Sequence, residues 1–222
     1  MLGLYIGIIL LLNIPYVQHR MSVLVAKELS TVLGSELTVG RINIGLLNRI
    51  IIDDLVLNDQ SGKELLKIGR LSAKFEILPL FSGKISIGNV QLFSFNANLE
   101  RPTPQASTNF QFVLDAFASK DTVKKKSNLD LRINSLLIRR GKVSYDVLSA
   151  ESTPGKFNPQ HIRLSNILAN ISLKALQNDS VNAAIKRMSV EEEHSGFELK
   201  KLSLKIIAND RKMRIENFAI DL

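Results

Sequence analysis

The chain has 222 residues, enough for one or two domains with a substantial core, and a formal net charge of +8. It contains no cysteine, which excludes a disulfide framework and a thiolate metal site. Its basic residues have no clustered aromatic side chains beside them, which argues against a nucleic-acid partner and favours a solvated face or one near anionic lipid headgroups.

The chain begins with an uncharged apolar segment, residues 2–17, interrupted only by Asn13. As a helix this segment would be about 24 Å long, a short membrane span. A secretory signal peptide is the alternative, but no small-residue cleavage site follows. We therefore predict a transmembrane anchor over residues 1–18. Because Arg20 and Lys27 follow the anchor, the positive-inside rule would place the body in the cytoplasm, unless a basic leader precedes Met1.

An amphipathic helix is predicted over residues 19–35, with Gly34 as its C-cap. Its apolar stripe consists of Met21, Leu24, Val25 and Leu29. We expect the helix to cap the end of a sheet, with this stripe turned toward the first strands near Val39 and Ile52.

The remainder, residues 36–222, repeats an eight-residue pattern in which two apolar alternations flank a pair of adjacent non-core residues. A β-bulge at each pair would keep the apolar set on one face, and a bulge in strand after strand would curl the sheet. Leu199 should then face the same side as Leu202, and Ile133 the same side as Leu136. We call each such pair of adjacent non-core residues a doubled step. The nine doubled steps are Gly40-Arg41, Asp53-Asp54, Gly69-Arg70, Gly88-Asn89, Asn134-Ser135, Ser165-Asn166, Lys186-Arg187, Lys200-Lys201 and Glu216-Asn217.

Turn chemistry separates about ten predicted strands. We place a tight turn at Gly141, a short helix at about 108–119 with Thr108 or Asn109 as N-cap, and a solvated basic loop over 120–128. Residues 191–193, three glutamates, are interpreted as a solvated hairpin loop. The predicted fold is mainly β: a curved antiparallel sheet forming an elongated half-pipe, as the start of a longer repeat array.

Enzyme signatures are absent from the sequence, and no cofactor or metal is expected. Its three histidines are scattered. Asp53-Asp54 and Asp59 could suggest a cation site, but they occupy a doubled step and a turn, which favours a structural role.

The predicted sheet has an apolar face that two short helices cannot cover, and such a groove suits acyl chains because burying CH2 groups needs no directional polar contacts. The alternative is an anchored β-sandwich for protein binding or adhesion, in which the two halves of the sheet bury each other. The candidate groove residues are Val39, Ile42, Ile52, Leu55, Ile68, Leu71, Ile87, Val90, Leu131, Ile133, Leu136, Ile167, Ile171, Leu199, Leu202 and Leu204.

The order of motifs resembles the N-terminal region of the AsmA-like and TamB (translocation and assembly module) family of bacterial envelope proteins. The matching stretches are NIPYVQ at 13–18, LG at 33–34, LTVGRINI at 37–44, LLKI at 65–68, LPLFSGKI at 78–85 and LLIRRGKVSY at 136–145. The resemblance covers nearly the whole chain, although each motif is degenerate.

The resemblance implies a single-pass bacterial inner-membrane protein with a periplasmic, lipid-lined half-pipe, or β-taco. Its implied role is phospholipid transport toward the outer membrane or outer-membrane biogenesis, with phospholipid acyl chains as partners. An outer-membrane barrel partner belongs to a C-terminal region that this sequence does not contain, so that partnership is not carried over.

Overall fold

The computed structural model describes residues 3, 7, 10–45, 48–75, 85–117, 129–130, 134–177, 180–209 and 212–222. The fold is mainly β, a single curved and open sheet with two helices on one side. The helices are α1 (Pro15–Leu33) and α2 (Gln111–Phe117). The strands are β1 (Leu37–Gly45), β2 (Arg49–Asn58), β3 (Glu64–Phe75), β4 (Ile85–Arg101), β5 (Leu129–Asp130), β6 (Ser135–Val147), β7 (His161–Gln177), β8 (Ser180–Glu192), β9 (Phe197–Asn209) and β10 (Met213–Asp221).

The strands follow one another through the sheet in chain order, with the two-residue strand β5 beside β4. The sheet departs from the predicted antiparallel arrangement at β4, which pairs in parallel with both β5 and β6. The chain leaves β4 through α2 and returns before β6 starts, so both strands run in the same direction. A parallel pair requires such a crossover, whereas the hairpins elsewhere give antiparallel pairs.

The described strands form one open sheet, and close backbone contacts join only strands that are neighbours within it. The alternative of an anchored β-sandwich stays a prediction. We call the face that carries α1 and α2 the inner face and the opposite one the outer face.

The doubled steps in the last strands are bulges, as predicted. The four residues of β8 from Ile185 to Met188 lie opposite three residues of β9, and the extra residue is on β9 between Leu199 and Leu202. Since Leu199 pairs with Val190 and Leu202 with Met188, two residues apart, Leu199 and Leu202 share a face. The same-face prediction for Leu199 and Leu202 is confirmed, whereas Ile133 lies outside the described residues.

Left-handed residues mark several other doubled steps. Asp54, Asn166 and Asn217 have φ between 50° and 55°. In the first three strands one residue each, Gly40, Asp54 and Gly69, is left out of the ladder pairing. The register is the same on both sides of these residues, so they lie opposite one another. The three strands therefore bend at matching positions across the sheet.

In two strands the left-handed residue lies outside the pair that the sequence pattern predicted. In β4 the left-handed residue is Ser94, although the predicted step at Gly88-Asn89 also adjoins a register shift. In β6 it is Arg140, and the predicted turn at Gly141 is wrong because β6 continues through it. Gly141 permits this course because a Cβ there would overlap the Phe95 ring.

Helix α1 lies along the edge strand β1 and satisfies part of its free edge. Ser30 Oγ donates to the Leu37 carbonyl oxygen (3.2 Å) and accepts from the Leu37 N–H (2.9 Å), while Asn13 Nδ2 donates to the Ile44 carbonyl oxygen (2.8 Å). Gln18 Nε2 donates to Asn43 Oδ1 at 2.6 Å. Covering an edge in this way protects it from pairing with another chain. Gly34 adopts the left-handed C-cap conformation, as predicted.

The main core lies between α1 and the inner face of β1–β3. Its buried members are Leu33, Leu37, Leu55, Leu57, Leu65 and Ile68. Leu29 packs against this cluster together with Val39 and Ile52, which confirms the predicted docking of the helix. The prediction that Leu24 belongs to the buried stripe is wrong, since Leu24 is 61% exposed and points away from the sheet. The polar Ser22 is buried.

Helix α2 covers the inner face beside α1, with Phe112, Val113 and Ala116 packed against the same cluster. The predicted N-cap role of Asn109 is not observed. Its Oδ1 accepts from the Glu100 N–H (3.0 Å) and its Nδ2 donates to the Asn98 carbonyl oxygen (3.1 Å), tying the loop before α2 to β4. The basic loop predicted over 120–128 lies outside the described residues.

The hairpin between β8 and β9 is not simply solvated. Glu192 is 2% exposed and accepts hydrogen bonds from the N–H and Oγ of Ser195. Burial alone would raise the pKa of Glu192, but these bonds and the backbone N–H groups of Arg163 and His194 outweigh it and lower the pKa to about 2.

Within the part of the chain that the structure describes, no helix combines the length and apolar character needed to cross a bilayer. Residues 1, 2, 4–6, 8 and 9 of the predicted anchor lie outside the described residues.

Candidate functional site

An unbroken row of apolar residues crosses the inner face from one end of the sheet to the other. Each member pairs in register with the next, so their side chains lie side by side at the strand spacing of about 4.8 Å. We call it the apolar row, and it comprises Ile42, Ile52, Leu71, Leu92, Ile138, Ala169, Met188, Leu202 and Ile220.

A second row runs parallel to the first, two residues away along each strand except β8, where the bulge makes the offset three residues. Its members after β3 are Val90, Leu136, Ile171, Ile185 and Leu204, again in register. Four of them were predicted as groove residues, and the structure brings those four together. Each of the five is half-buried.

The helices divide the inner face into a covered and an open part. Ile52, Leu71 and Leu92 pack against the helix-covered core, and Ile42 is 3% exposed. Of the other predicted groove residues, Val39, Leu55 and Ile68 also belong to this core. These predicted groove positions are therefore filled by the protein itself.

From β6 onward the apolar face is open. No described helix makes close backbone contact with β6–β10, and none of their residues belongs to the helix-covered core. Exposure increases toward β10, where Met213, Ile215, Phe218 and Ile220 are each more than half exposed. Ile167, Leu199 and the row member Ala169 are buried within this part of the sheet. Leu131 lies outside the described residues, and Ile87 is placed only as part of β4.

The inner face carries one polar feature that sequence reasoning missed. Arg101 ends β4 and pairs with Val147, and two residues earlier Leu99 pairs with Tyr145. Its guanidinium lies over the Tyr145 ring, 5.1 Å from the centroid. The signal was present in the sequence, because Arg101 continues the inward alternation of Ala97 and Leu99.

The outer face is basic in the same part of the sheet. The irregular steps of β6, β8 and β9 present exposed cations, and none of them forms an ion pair with an Asp or Glu side chain in the described residues, although Lys200 Nζ donates to the Leu222 backbone oxygen at 2.8 Å. These are Arg139, Arg140, Lys186, Arg187, Lys200 and Lys201. The predicted separation of an apolar inside from a charged outside therefore holds in these strands.

A polar cluster at the strand ends holds the loop between β6 and β7. His161 Nδ1 lies 2.9 Å from Asp146 Oδ1, its Nε2 lies 3.0 Å from the Ala150 carbonyl oxygen, and Arg163 bonds Asp146 at 2.8 Å. The hydrogen bond with Asp146, supported by the Ala150 carbonyl, raises the pKa of His161. The groups hold one another and present no nucleophile, so this is a structural arrangement.

The acidic residues considered as a cation site are accounted for structurally. Asp53 bonds Arg70 at 2.6 Å, and Asp59 Oδ1 accepts from the N–H groups of Ser61 and Lys63 in its turn. No group of three or more potential ligands gathers around a metal position among the described residues.

This geometry offers an elongated apolar surface that is closed by helices at one end and open along the rest. Such a surface can bind extended apolar ligands by burial. No protein-family model and no curated protein matches the chain.

Proposed function

We propose that the chain is a membrane-anchored trough that binds phospholipid acyl chains and conducts them between the inner and outer membranes of a bacterial envelope. Residues 1–18 act as the anchor, and the curved sheet forms the wall of a half-pipe in the periplasm. The resemblance to AsmA-like and TamB proteins favours this assignment.

The observation that carries the proposal is the open part of the apolar row. Its last five members, Ile138 to Ile220, span about 19 Å across five adjacent strands at the usual spacing. A contiguous apolar surface of this extent is rarely left exposed without a binding role. Acyl chains suit it because each buried CH2 contributes about 0.8 kcal/mol.

The covered end gives the trough a direction. Helices α1 and α2 occupy the inner face over β1–β4, so lipid reaches the wall from the side and moves toward β10. We expect α1 to sit next to the bilayer, since the predicted anchor leads into it with no flexible linker.

The test is lipid co-purification with the full chain. Ile171→Asp and Leu204→Arg place a charge on the open inner face and should reduce bound phospholipid several-fold, because an acyl chain that covers the charge must remove its hydration. Lys201→Glu, on the outer face, is the matched control and should leave lipid content unchanged. Equal lipid content in all these proteins would refute the proposal and favour a protein-binding role.

A further inference from the structure

Arg101 is a cation on the inner face, at the place where the helix-covered part of the sheet meets the open part. Arg101 shares this face with Leu99, which packs against the helix-covered core, and with Tyr145 and Val147 on the neighbouring strand β6. Val147 is 2% exposed. The guanidinium is therefore held against apolar surroundings at the end of β4.

The guanidinium of Arg101 is incompletely satisfied. Its Nη1 donates to the Pro104 carbonyl oxygen at 2.8 Å. Its Nε is buried without a hydrogen-bond partner, the only such side-chain atom in the described part of the chain. No carboxylate among the described residues forms an ion pair with it. A partly buried cation without a counter-charge is costly, and such groups are usually neutralised by an acceptor.

The Tyr145 ring limits what the missing acceptor can be. The Tyr145 ring covers one face of the Arg101 guanidinium, so further hydrogen bonds must be made along the edge of the guanidinium, where its N–H groups point. A planar guanidinium presents a fork of N–H donors that matches the oxygens of a phosphate. An anion with at least two oxygens therefore fits better than a single carbonyl.

The neighbouring side chains are those that would receive an apolar tail. Tyr145 pairs with Ile162, and Val143 pairs with Leu164, so an apolar strip leads from Arg101 onto the open wall. Because β4 ends at Arg101 and β6 ends at Val147, the cation lies at the rim of the sheet. A ligand held here can keep its charged group at the rim and its chains on the wall.

We propose that Arg101, supported by Tyr145, binds the phosphodiester of a phospholipid headgroup and fixes the position at which a lipid joins the open part of the trough. This inference rests on the proposed function and adds to it the recognition of the headgroup. It predicts that the trough distinguishes a phospholipid from a neutral lipid with the same chains.

The experiment compares two fluorescent lipids with identical acyl chains, a phosphatidylglycerol and a diacylglycerol, titrated against the purified full chain. Arg101→Gln should weaken phosphatidylglycerol binding about tenfold, as expected for loss of a charge-assisted bidentate contact, and should leave diacylglycerol binding unchanged. Arg139→Gln, an exposed arginine on the outer face, is the matched control and should change neither affinity. Retained diacylglycerol binding also shows that the variant is folded.

Three outcomes would overturn the assignment. If Arg101→Gln leaves both affinities unchanged, the cation does not contact the headgroup, and if it weakens both equally, its role is structural. If excess inorganic phosphate alone reduces phosphatidylglycerol binding to the level of the variant, the site belongs to free phosphate. A wild-type chain that binds neither lipid would refute the proposed function itself, which is a distinct result.

Discussion

Gly40 of β1 lies opposite Asp54 of β2 so closely that a Cβ on the glycine would stand 3.0 Å from the Asp54 Cβ. Asp54 is left-handed, with φ at 55°. The close approach and the unusual backbone occur at the same height, where the paired strands change course together. This contact is one of the places where left-handed or unpaired backbone positions in neighbouring strands bend the sheet.

The first prediction concerns the strain at Asp54. Asp54→Val should destabilise the fold by about 1–2 kcal/mol, because a β-branched residue is disfavoured at positive φ. Asp54→Gly should be neutral or stabilising, whereas Lys67→Gly, at an exposed position in β3 with ordinary backbone, should cost about 0.5–1 kcal/mol. Denaturant unfolding of the full chain in detergent measures all three. A stability loss in Asp54→Gly as large as in Lys67→Gly would contradict the role of this step.

The second prediction concerns Gly141, which allows β6 to pass beneath Phe95. Gly141→Ala should cost about 1–3 kcal/mol, because the added methyl overlaps a ring packed against the core. Adding Phe95→Leu should recover part of that loss, since a smaller side chain makes room. Thermal unfolding of the two single variants and the double variant gives the coupling. Strict additivity would show that Gly141 is required for another reason.

The third prediction separates the two faces of α1. Leu29→Asp places an unpaired charge against the core and should destabilise the first strands by about 3 kcal/mol. Leu24→Asp and Lys27→Glu should be tolerated, because both side chains face away from the sheet. Hydrogen exchange of residues 37–57 reports the effect locally. Unchanged protection in Leu29→Asp would mean that α1 does not support these strands in solution.

The fourth prediction is a pH dependence centred on His161. With acceptors at both ring nitrogens, the protonated imidazole satisfies both, which agrees with the raised pKa. A raised folded-state pKa gives stability that is fully present below the ordinary value of 6.5 and is lost as pH rises through the folded-state pKa. The difference in Tm between wild type and His161→Gln should therefore shrink from pH 5.5 to pH 8.5. A difference that does not change over this range would contradict the interpretation.

Much of the fold could be read from the sequence. The alternation of apolar residues predicted nearly every strand, because side chains in a strand point alternately to opposite faces and a buried face must be apolar. The doubled steps at Lys186-Arg187 and Lys200-Lys201 predicted bulges correctly, since only an extra residue keeps Leu199 and Leu202 on one face. Gly34 predicted the end of α1, because glycine readily adopts the left-handed cap.

Other features depended on contacts between distant parts of the chain. The parallel pairing of β4 and β6 follows from the path through α2, and the continuity of β6 past Gly141 follows from the room beneath Phe95. Neither leaves a local signature, because a glycine serves a turn and a close approach equally well. The alternation of β4 predicts that Arg101 points to the inner face. It does not predict that the Arg101 Nε lacks a hydrogen-bond acceptor.

Strands with one apolar face, bulged at repeated positions, can be derived from the order of the amino acids, because those properties depend on neighbours within a few residues. Which part of that face the protein covers depends on tertiary packing. Val39, Leu55 and Ile68 have the same local pattern as Ile171, Leu202 and Leu204, yet the first three pack beneath the helices and the last three lie on the open wall. The physical reason is that burial depends on what packs against a face, and the covering helices come from segments distant in the chain.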